Sequence, residues 1–202
     1  MKKKECIIFG VTGKLGKLIM KTFLANGYFV HGISKKTKPK RKINNYKHYF
    51  LNIKNQLSSG IKKVILSKNL KFVIFAISKK EPNKNFEFDT KLLMDYHLFF
   101  PLKVANFIKG KKLNLIIINS DCIFSSSCKF PYAISKLSSA YFVNYSKKLF
   151  PNIKFFSILM GQIKRKNIQK MNLVLKKLIK RNSQFKSSNF SLTEKQRKLK
   201  FY

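Results

Sequence analysis

Three groups of residues have types and spacings that can do chemistry. The first is Gly10-Val-Thr-Gly13-Lys-Leu-Gly16. Glycines at this spacing permit a tight turn and let the backbone approach a pyrophosphate closely. A helix starting there points its first N–H groups and positive dipole end at the same phosphates. Gly10, Thr12, Gly13, Lys14, Leu15 and Gly16 are therefore candidate dinucleotide contacts. The second group is Tyr132-Ala-Ile-Ser-Lys136, with Ser120 upstream. Side chains four apart lie on one helix face. An ammonium beside a phenol favours the phenolate. The phenol can then give or take a proton at a hydroxyl or carbonyl oxygen, and Ser120 can position that oxygen. Ser120, Tyr132 and Lys136 are the candidate catalytic residues, and Tyr132 and Lys136 also reach toward a nicotinamide ribose. The third group is Ser34-Lys35-Lys36. Basic residues at the end of a second strand suit the 2′-phosphate of NADP, whereas an acidic residue suits the ribose hydroxyls of NAD. The cofactor expected is NADP(H).

These groups need a scaffold that brings them together. Cys6–Gly10 is a short apolar run ending in glycine, which predicts a buried first strand. Leu15, Leu18, Ile19 and Phe23 follow at helical spacing, and Asn26-Gly27 closes that helix. Tyr28–Ser34, Tyr49–Ile53, Lys71–Ser78, Leu113–Ser120 and Lys154–Gly161 predict five further strands. Residues 35–47 form a basic loop with Pro39. Between the strands lie a helix starting near Ser58 or Ser59, a long one over Asp89–Lys109 that Pro101 kinks, and one over Pro131–Leu149. Ala76, near the end of the fourth strand, joins the candidate cofactor contacts. The strands read as continuous apolar runs alternating with helices. That pattern predicts an α/β fold, a Rossmann-type doubly wound parallel sheet covered on both faces. After Gly161 the pattern stops, apart from one helix suggested by Ile168, Met171, Val174, Leu175 and Leu178. The expected organisation is a dinucleotide-binding domain over residues 1–161 and a reduced extension with a basic tail over 162–202.

Composition narrows the class. The 202 residues are 45% hydrophobic, enough for a packed core, and no apolar run reaches the length of a membrane span. The start runs directly from Lys2-Lys-Lys-Glu5 into a short strand, unlike a signal peptide, so a cytoplasmic protein is expected. Cys6, Cys122 and Cys128 have no metal-ligand spacing, so no metal is expected. His31, His48 and His97 read as packing or surface residues. The net charge of +37 suits an anionic ligand, but the lysines are scattered, so nucleic acid is possible as a partner and not favoured. The run Lys164-Arg165-Lys166 reads as solvated surface.

The glycine turn and the Tyr-x-x-x-Lys pair resemble the extended branch of the short-chain dehydrogenase/reductases, the NAD(P)-dependent epimerases and dehydratases. Gly27–Lys36, Phe86–Asp95 and Pro131–Tyr145 extend the resemblance, which is nearest to the GDP-mannose 4,6-dehydratase group. It implies oxidation of a nucleotide sugar at C4, elimination of water and return of the hydride. It also implies a homodimer paired through the helices that carry Asp89 and Tyr132. Where the resemblance places a Glu for the elimination, the chain has Cys122, and Asn52-Ile53 stands where an Asp meets the adenine. Asn52 and Ile53 are thus further candidate cofactor contacts. Two alternatives stay open: a simple NADPH-dependent carbonyl or 4-keto-sugar reductase, and a catalytically inactive cofactor-binding or nucleic-acid-binding descendant.

Overall fold

The computed structural model describes residues 3–35, 42–53, 56–77, 85–120, 129–160, 165–180 and 188–191. Seven parallel strands form one sheet in the order β3-β2-β1-β4-β5-β6-β7. They are β1 (Glu5–Phe9), β2 (Phe29–Ser34), β3 (Tyr46–Phe50), β4 (Leu70–Phe75), β5 (Leu113–Ser120), β6 (Ile153–Met160) and β7 (Ser188–Ser191). The strand order reverses between β1 and β4, both of which pair in parallel. Sheets of this type bind ligands beyond the carboxyl ends of the strands at such a reversal.

Each face of the sheet has its own core. One buries Phe9, Phe75, Leu115 and Phe155 beneath α2 (Ser59–Ile65), α4 (Phe100–Phe107) and α5 (Phe130–Leu149). The other buries Ile8, Phe72, Ile116 and Phe156 beneath α1 (Lys14–Ala25) and α6 (Arg165–Lys180). Residues of opposite parity along β1, β4 and β5 supply the two cores, as a sheet covered on both faces requires. Ser58 caps α2 by accepting from the Ile61 N–H, and Asn85 caps α3 (Phe86–Met94) by accepting from the Phe88 N–H. Gly27, at φ +79°, takes the left-handed position that ends α1.

Three elements differ from their sequence expectation. The third strand runs over Tyr46–Phe50, three residues before the expected Tyr49–Ile53. Asn45 turns the chain at φ 59° and its carbonyl accepts from the Val30 N–H, which sets Tyr46 opposite Val30. The long helix starts earlier and is interrupted: α3 passes through a π-helical turn, Asp95–Phe99, into α4. The Phe100 N–H bonds back five residues to the Asp95 carbonyl. Pro101 has no N–H and its ring crowds the preceding turn, so the ladder widens there. The third difference is β7. Its backbone pairs with β6 from Phe156–Ser188 to Leu159–Ser191, inside a stretch whose sequence shows no strand signal. Together with α6, whose Met171, Leu175 and Leu178 are buried in the second core, it extends the same sheet past residue 161. Gly161 and Cys122 lie outside the described residues.

The packing gives a stability test. Phe155 is wholly buried, with Phe142 edge-on at 5.5 Å and Phe150 at 5.7 Å. Phe155→Ala is expected to cost about 3–5 kcal/mol, read from the shift of the urea unfolding midpoint at unchanged slope.

Candidate active site

The glycine turn is built by close approach. Gly10 sits at φ +84°, and a Cβ there would stand 2.5 Å from the Ala76 carbonyl oxygen. A Cβ on Gly16 would overlap the Gly10 carbonyl. The absence of both methyl groups lets α1 start directly against β1 and β4. The Gly10 N–H bonds to the Ile33 carbonyl at 2.8 Å and the Gly13 N–H to the Gly10 carbonyl at 3.1 Å, which closes the turn. Gly13 is the N-cap of α1, where no side chain caps the helix and no acidic residue occupies the first turn. The positive end of α1 is left to an outside anion.

A cleft of about 360 Å³ opens above this turn. Gly10, Thr12, Gly13, Lys14 and Leu15 form its floor, and Ser34 and Lys35 stand at its β2 side. Ile53 and Ala76 line it as well. Asn52 and Gly16 do not, although both lie beside residues that do. Lys36 is outside the described residues. Sequence reasoning missed five lining residues: Phe9, Ile33, Leu51, Ile77 and Tyr96. The first four are apolar ends of strands or the residues just beyond them, and they make an apolar slot suited to a flat ring. Tyr96 comes from the π-helical turn, and no sequence signal marks where that turn aims it. Burial raises the Tyr96 hydroxyl above its ordinary value, with a smaller contribution from Asp95. The residues present fit a dinucleotide: an apolar slot, a turn without a Cβ at Gly10, Gly13 and Gly16, and an uncapped helix start.

Ser120, Tyr132 and Lys136 do not line that cleft. Ser120 ends β5, which lies two strands from β1 across β4, or about 10 Å at ordinary strand spacing. Tyr132 and Lys136 belong to the first two turns of α5, with Pro131 in its first turn. Lys136 is only 3% exposed. Its Nζ donates to the Ile118 carbonyl of β5 at 3.3 Å and lies 5.7 Å from the Tyr132 ring centre. Burial brings its pKa down to about 7. The helix thus holds a phenol and an amine side by side against the carboxyl end of β5.

A histidine backs this pair. His97, in the π-helical turn, is 2% exposed, and its Nδ1 lies 2.9 Å from the Ser135 hydroxyl. Ser135 donates to the Tyr132 carbonyl at 2.8 Å, so its oxygen accepts from His97 Nδ1–H. The His97 ring stands edge-on to Tyr132 at 5.6 Å. Burial, then repulsion from Lys136, drives its pKa well below the usual imidazole value. The neutral ring packs and hydrogen-bonds; it does not carry charge. Among the described residues, no three His, Cys, Asp or Glu side chains gather in a way that could hold a metal ion. Among the same residues, no helix is long and apolar enough to cross a membrane.

A family model, the NAD dependent epimerase/dehydratase family, matches residues 6–163. The chain belongs to that family. The match takes in β1 from its second residue, every strand from β2 to β6, the glycine turn and the Tyr132–Lys136 pair. A search of curated proteins returns no match. Solved structures show the same fold. A short chain dehydrogenase from Leptospira borgpetersenii with bound NAD+ superposes with a TM-score of 0.76 at 16% identity, over 95% of this chain and 92% of that one. An oxidoreductase of the short chain dehydrogenase/reductase family from Brucella ovis, with a partially ordered NAD, gives 0.73 at 15% identity, over 95% and 100%. FolM alternative dihydrofolate reductase 1 from Brucella suis, in complex with NADP, gives 0.73 at 10% identity, over 94% and 93%.

The lowered Lys136 pKa has a signature in stability. The unfolded chain keeps this lysine protonated up to its ordinary value of 10.5, whereas the folded chain releases the proton near 7. Between those limits the unfolded state binds more protons, so folding stability gains with rising pH from this group. Lys136→Met removes the gain. Urea unfolding from pH 7 to pH 10 is expected to show wild type gaining stability relative to Lys136→Met; parallel curves would contradict the buried amine.

Proposed function

We propose that the chain is an NADP(H)-dependent oxidoreductase that exchanges hydride with a carbonyl or hydroxyl carbon of a small molecule, in the substrate class of nucleotide sugars. The observation that carries this reading is the buried Lys136 amine, hung on the Ile118 carbonyl one helical turn beyond Tyr132. The bound nicotinamide would give or take the hydride, and the protein would supply orientation and proton transfer. The pyrophosphate would rest on the Gly10–Gly13 turn and the start of α1, the adenine between Leu51, Ile53 and Tyr96, and the 2′-phosphate against Ser34, Lys35 and Lys36. Tyr132 would pass the proton to the substrate oxygen. Lys136 in its charged form would favour the phenolate, and Ser120 would hold the oxygen in place.

Two reactions use these groups. Reduction of a ketone or 4-keto sugar needs Ser120, Tyr132 and Lys136 alone. A 4,6-dehydration of GDP-mannose type needs a further acid or base for the water, and Cys122 stands at the position where the resemblance implies a Glu. The reduction is favoured because it needs no acid or base beyond these three residues. The discriminating assay offers NADPH with 4-keto-6-deoxy nucleotide sugars and simple ketones, and NADP with GDP-mannose. NADPH consumption with the keto substrates is expected, and Tyr132→Phe should lower it at least a hundredfold with NADPH binding kept. A 4-keto-6-deoxy product from GDP-mannose would establish the dehydratase instead. Cofactor binding with no turnover on any of these substrates would favour the non-catalytic descendant.

The proposed assembly is a homodimer. Tyr141, Tyr145 and Leu149 form an exposed stripe along α5, 45%, 58% and 66% exposed, and the two tyrosine rings stack at 6.3 Å. Phe99 and Phe107 are also exposed, on the π-helical turn and on α4. Light scattering is expected to return the mass of two chains, falling to one for Tyr145→Glu; a wild-type mass of one chain would refute the pairing.

A further inference from the structure

The Ile53 end of the cleft adjoins a second space. A cavity of about 290 Å³ is lined by Ile53, Asp95, Phe99, Phe100 and Lys103. Ile53 belongs to both linings. Asp95 directly precedes Tyr96, which lines the cleft, on the π-helical turn. One turn thus sends neighbouring side chains to the two spaces. The Asp95 backbone carbonyl is taken by the Phe100 N–H. Its carboxylate makes no hydrogen bond or ion pair among the described residues. That carboxylate is close enough to the Tyr96 hydroxyl to contribute to its raised pKa. None of the described residues lining the cleft itself is acidic, so Asp95 supplies a carboxylate that the cleft lacks.

We propose that Asp95 is a specificity-determining residue that accepts a hydrogen bond from the exocyclic amino group of the adenine of the dinucleotide. The inference rests on the dinucleotide reading above and deepens it. A purine joined to ribose through N9 carries its 6-amino group at the opposite end of the ring system. With the pyrophosphate on the Gly10–Gly13 turn and the ring between Leu51, Ile53 and Tyr96, the ribose lies toward the turn. The amino edge then points past Ile53 to the cavity that Asp95 borders. An adenine amino group donates and a carboxylate only accepts. A bond to a charged acceptor is stronger than one to a neutral acceptor. The pairing also discriminates. A purine with a carbonyl oxygen in place of the amino group would set an acceptor against the carboxylate. Lys103 borders the same cavity but is exposed, so water serves its ammonium. The apolar slot holds either flat ring equally well, so Asp95 is what tells adenine from a 6-oxo purine.

The test is the dissociation constant of NADPH and of its hypoxanthine analogue, in which oxygen replaces the amino group. Both are measured by fluorescence titration on wild type, Asp95→Asn and Asp95→Ala at a single pH and salt concentration. NADH and its own hypoxanthine analogue serve in the same way if NADH binds more tightly. Wild type is expected to bind the adenine dinucleotide roughly tenfold more tightly than the analogue. Asp95→Asn keeps the shape of the side chain and offers both an acceptor and a donor, so the ratio should fall to within about threefold. Asp95→Ala should weaken the adenine dinucleotide roughly tenfold and leave the analogue bound no more weakly than in wild type, which general damage to the cleft would not allow. Equal binding of the two dinucleotides by wild type, or a ratio unchanged in both variants, overturns the proposal and leaves the dinucleotide reading standing. Wild type binding neither NADPH nor NADH removes the dinucleotide reading and this proposal with it.

Discussion

Two missing methyl groups set the geometry of this molecule. A Cβ on Gly10 would collide with the Ala76 carbonyl at the end of β4, and one on Gly16 would collide with the Gly10 carbonyl. With hydrogens in both places, α1 begins against the ends of β1 and β4, and the turn between them closes on Ile33 of β2. Three strands and a helix start therefore meet at one point. The pyrophosphate seat proposed above depends on that meeting, because the uncapped N–H groups of α1 face the cleft only while the helix stays this close. The two cores keep it there. Ile19 and Phe23 of α1 are wholly buried beside Ile8 and Phe72, and the Phe23 ring stands edge-on to Tyr28 and Phe72 at 5.1 Å from each.

The parts of this architecture legible in the sequence share one property: their pattern comes from burial on both faces. β1, β4, β5 and β6 lie inside the sheet, so their residues are mostly apolar, and the continuous runs mark β5 to the residue and the starts of β1, β4 and β6 to within one. Edge strands lack that signal. β3 reads Tyr-Lys-His-Tyr-Phe, half polar, and its start is fixed by the Asn45 turn and the Tyr46–Gly32 fit, neither of which is periodic. β7 is four residues long within a basic stretch, too short for any alternation to stand out. The π-helical turn was legible only as a kink at Pro101, and its consequence was not. The wider turn puts Tyr96 in the cleft and His97 against Ser135, and no spacing rule for a regular helix gives either placement.

The candidate site was legible in two pieces of different kinds. The glycine turn has a backbone reason that sequence carries directly, since only glycine fits. The Tyr132–Lys136 pair has a helical reason, one turn of separation, but its environment is tertiary. Lys136 is buried because α5 lies over β5, and its amine finds the Ile118 carbonyl. In a chain with a net charge of +37, nearly every lysine can stay in water. Burying one costs desolvation that its single carbonyl partner offsets only in part, which is why its pKa falls to about 7.

The same cost explains the histidine behind it. Two buried bases this close cannot both be charged without repulsion, and among the described residues no carboxylate pairs with either of them. The fold resolves the conflict by giving them unequal partners. His97 bonds as a neutral ring to the Ser135 hydroxyl, which needs no charge, and burial together with Lys136 keeps it neutral. Lys136 keeps the carbonyl, a partner that an ammonium uses better than an amine does. The single positive charge that this pocket can hold is thereby assigned to the residue beside Tyr132. Reversing the assignment would place the charge on His97 behind the phenol, bound to a hydroxyl already committed to the Tyr132 carbonyl. Ser135, a residue with no chemistry of its own to announce it in the sequence, is therefore what ties the protonation of this pocket to the geometry of the helix start.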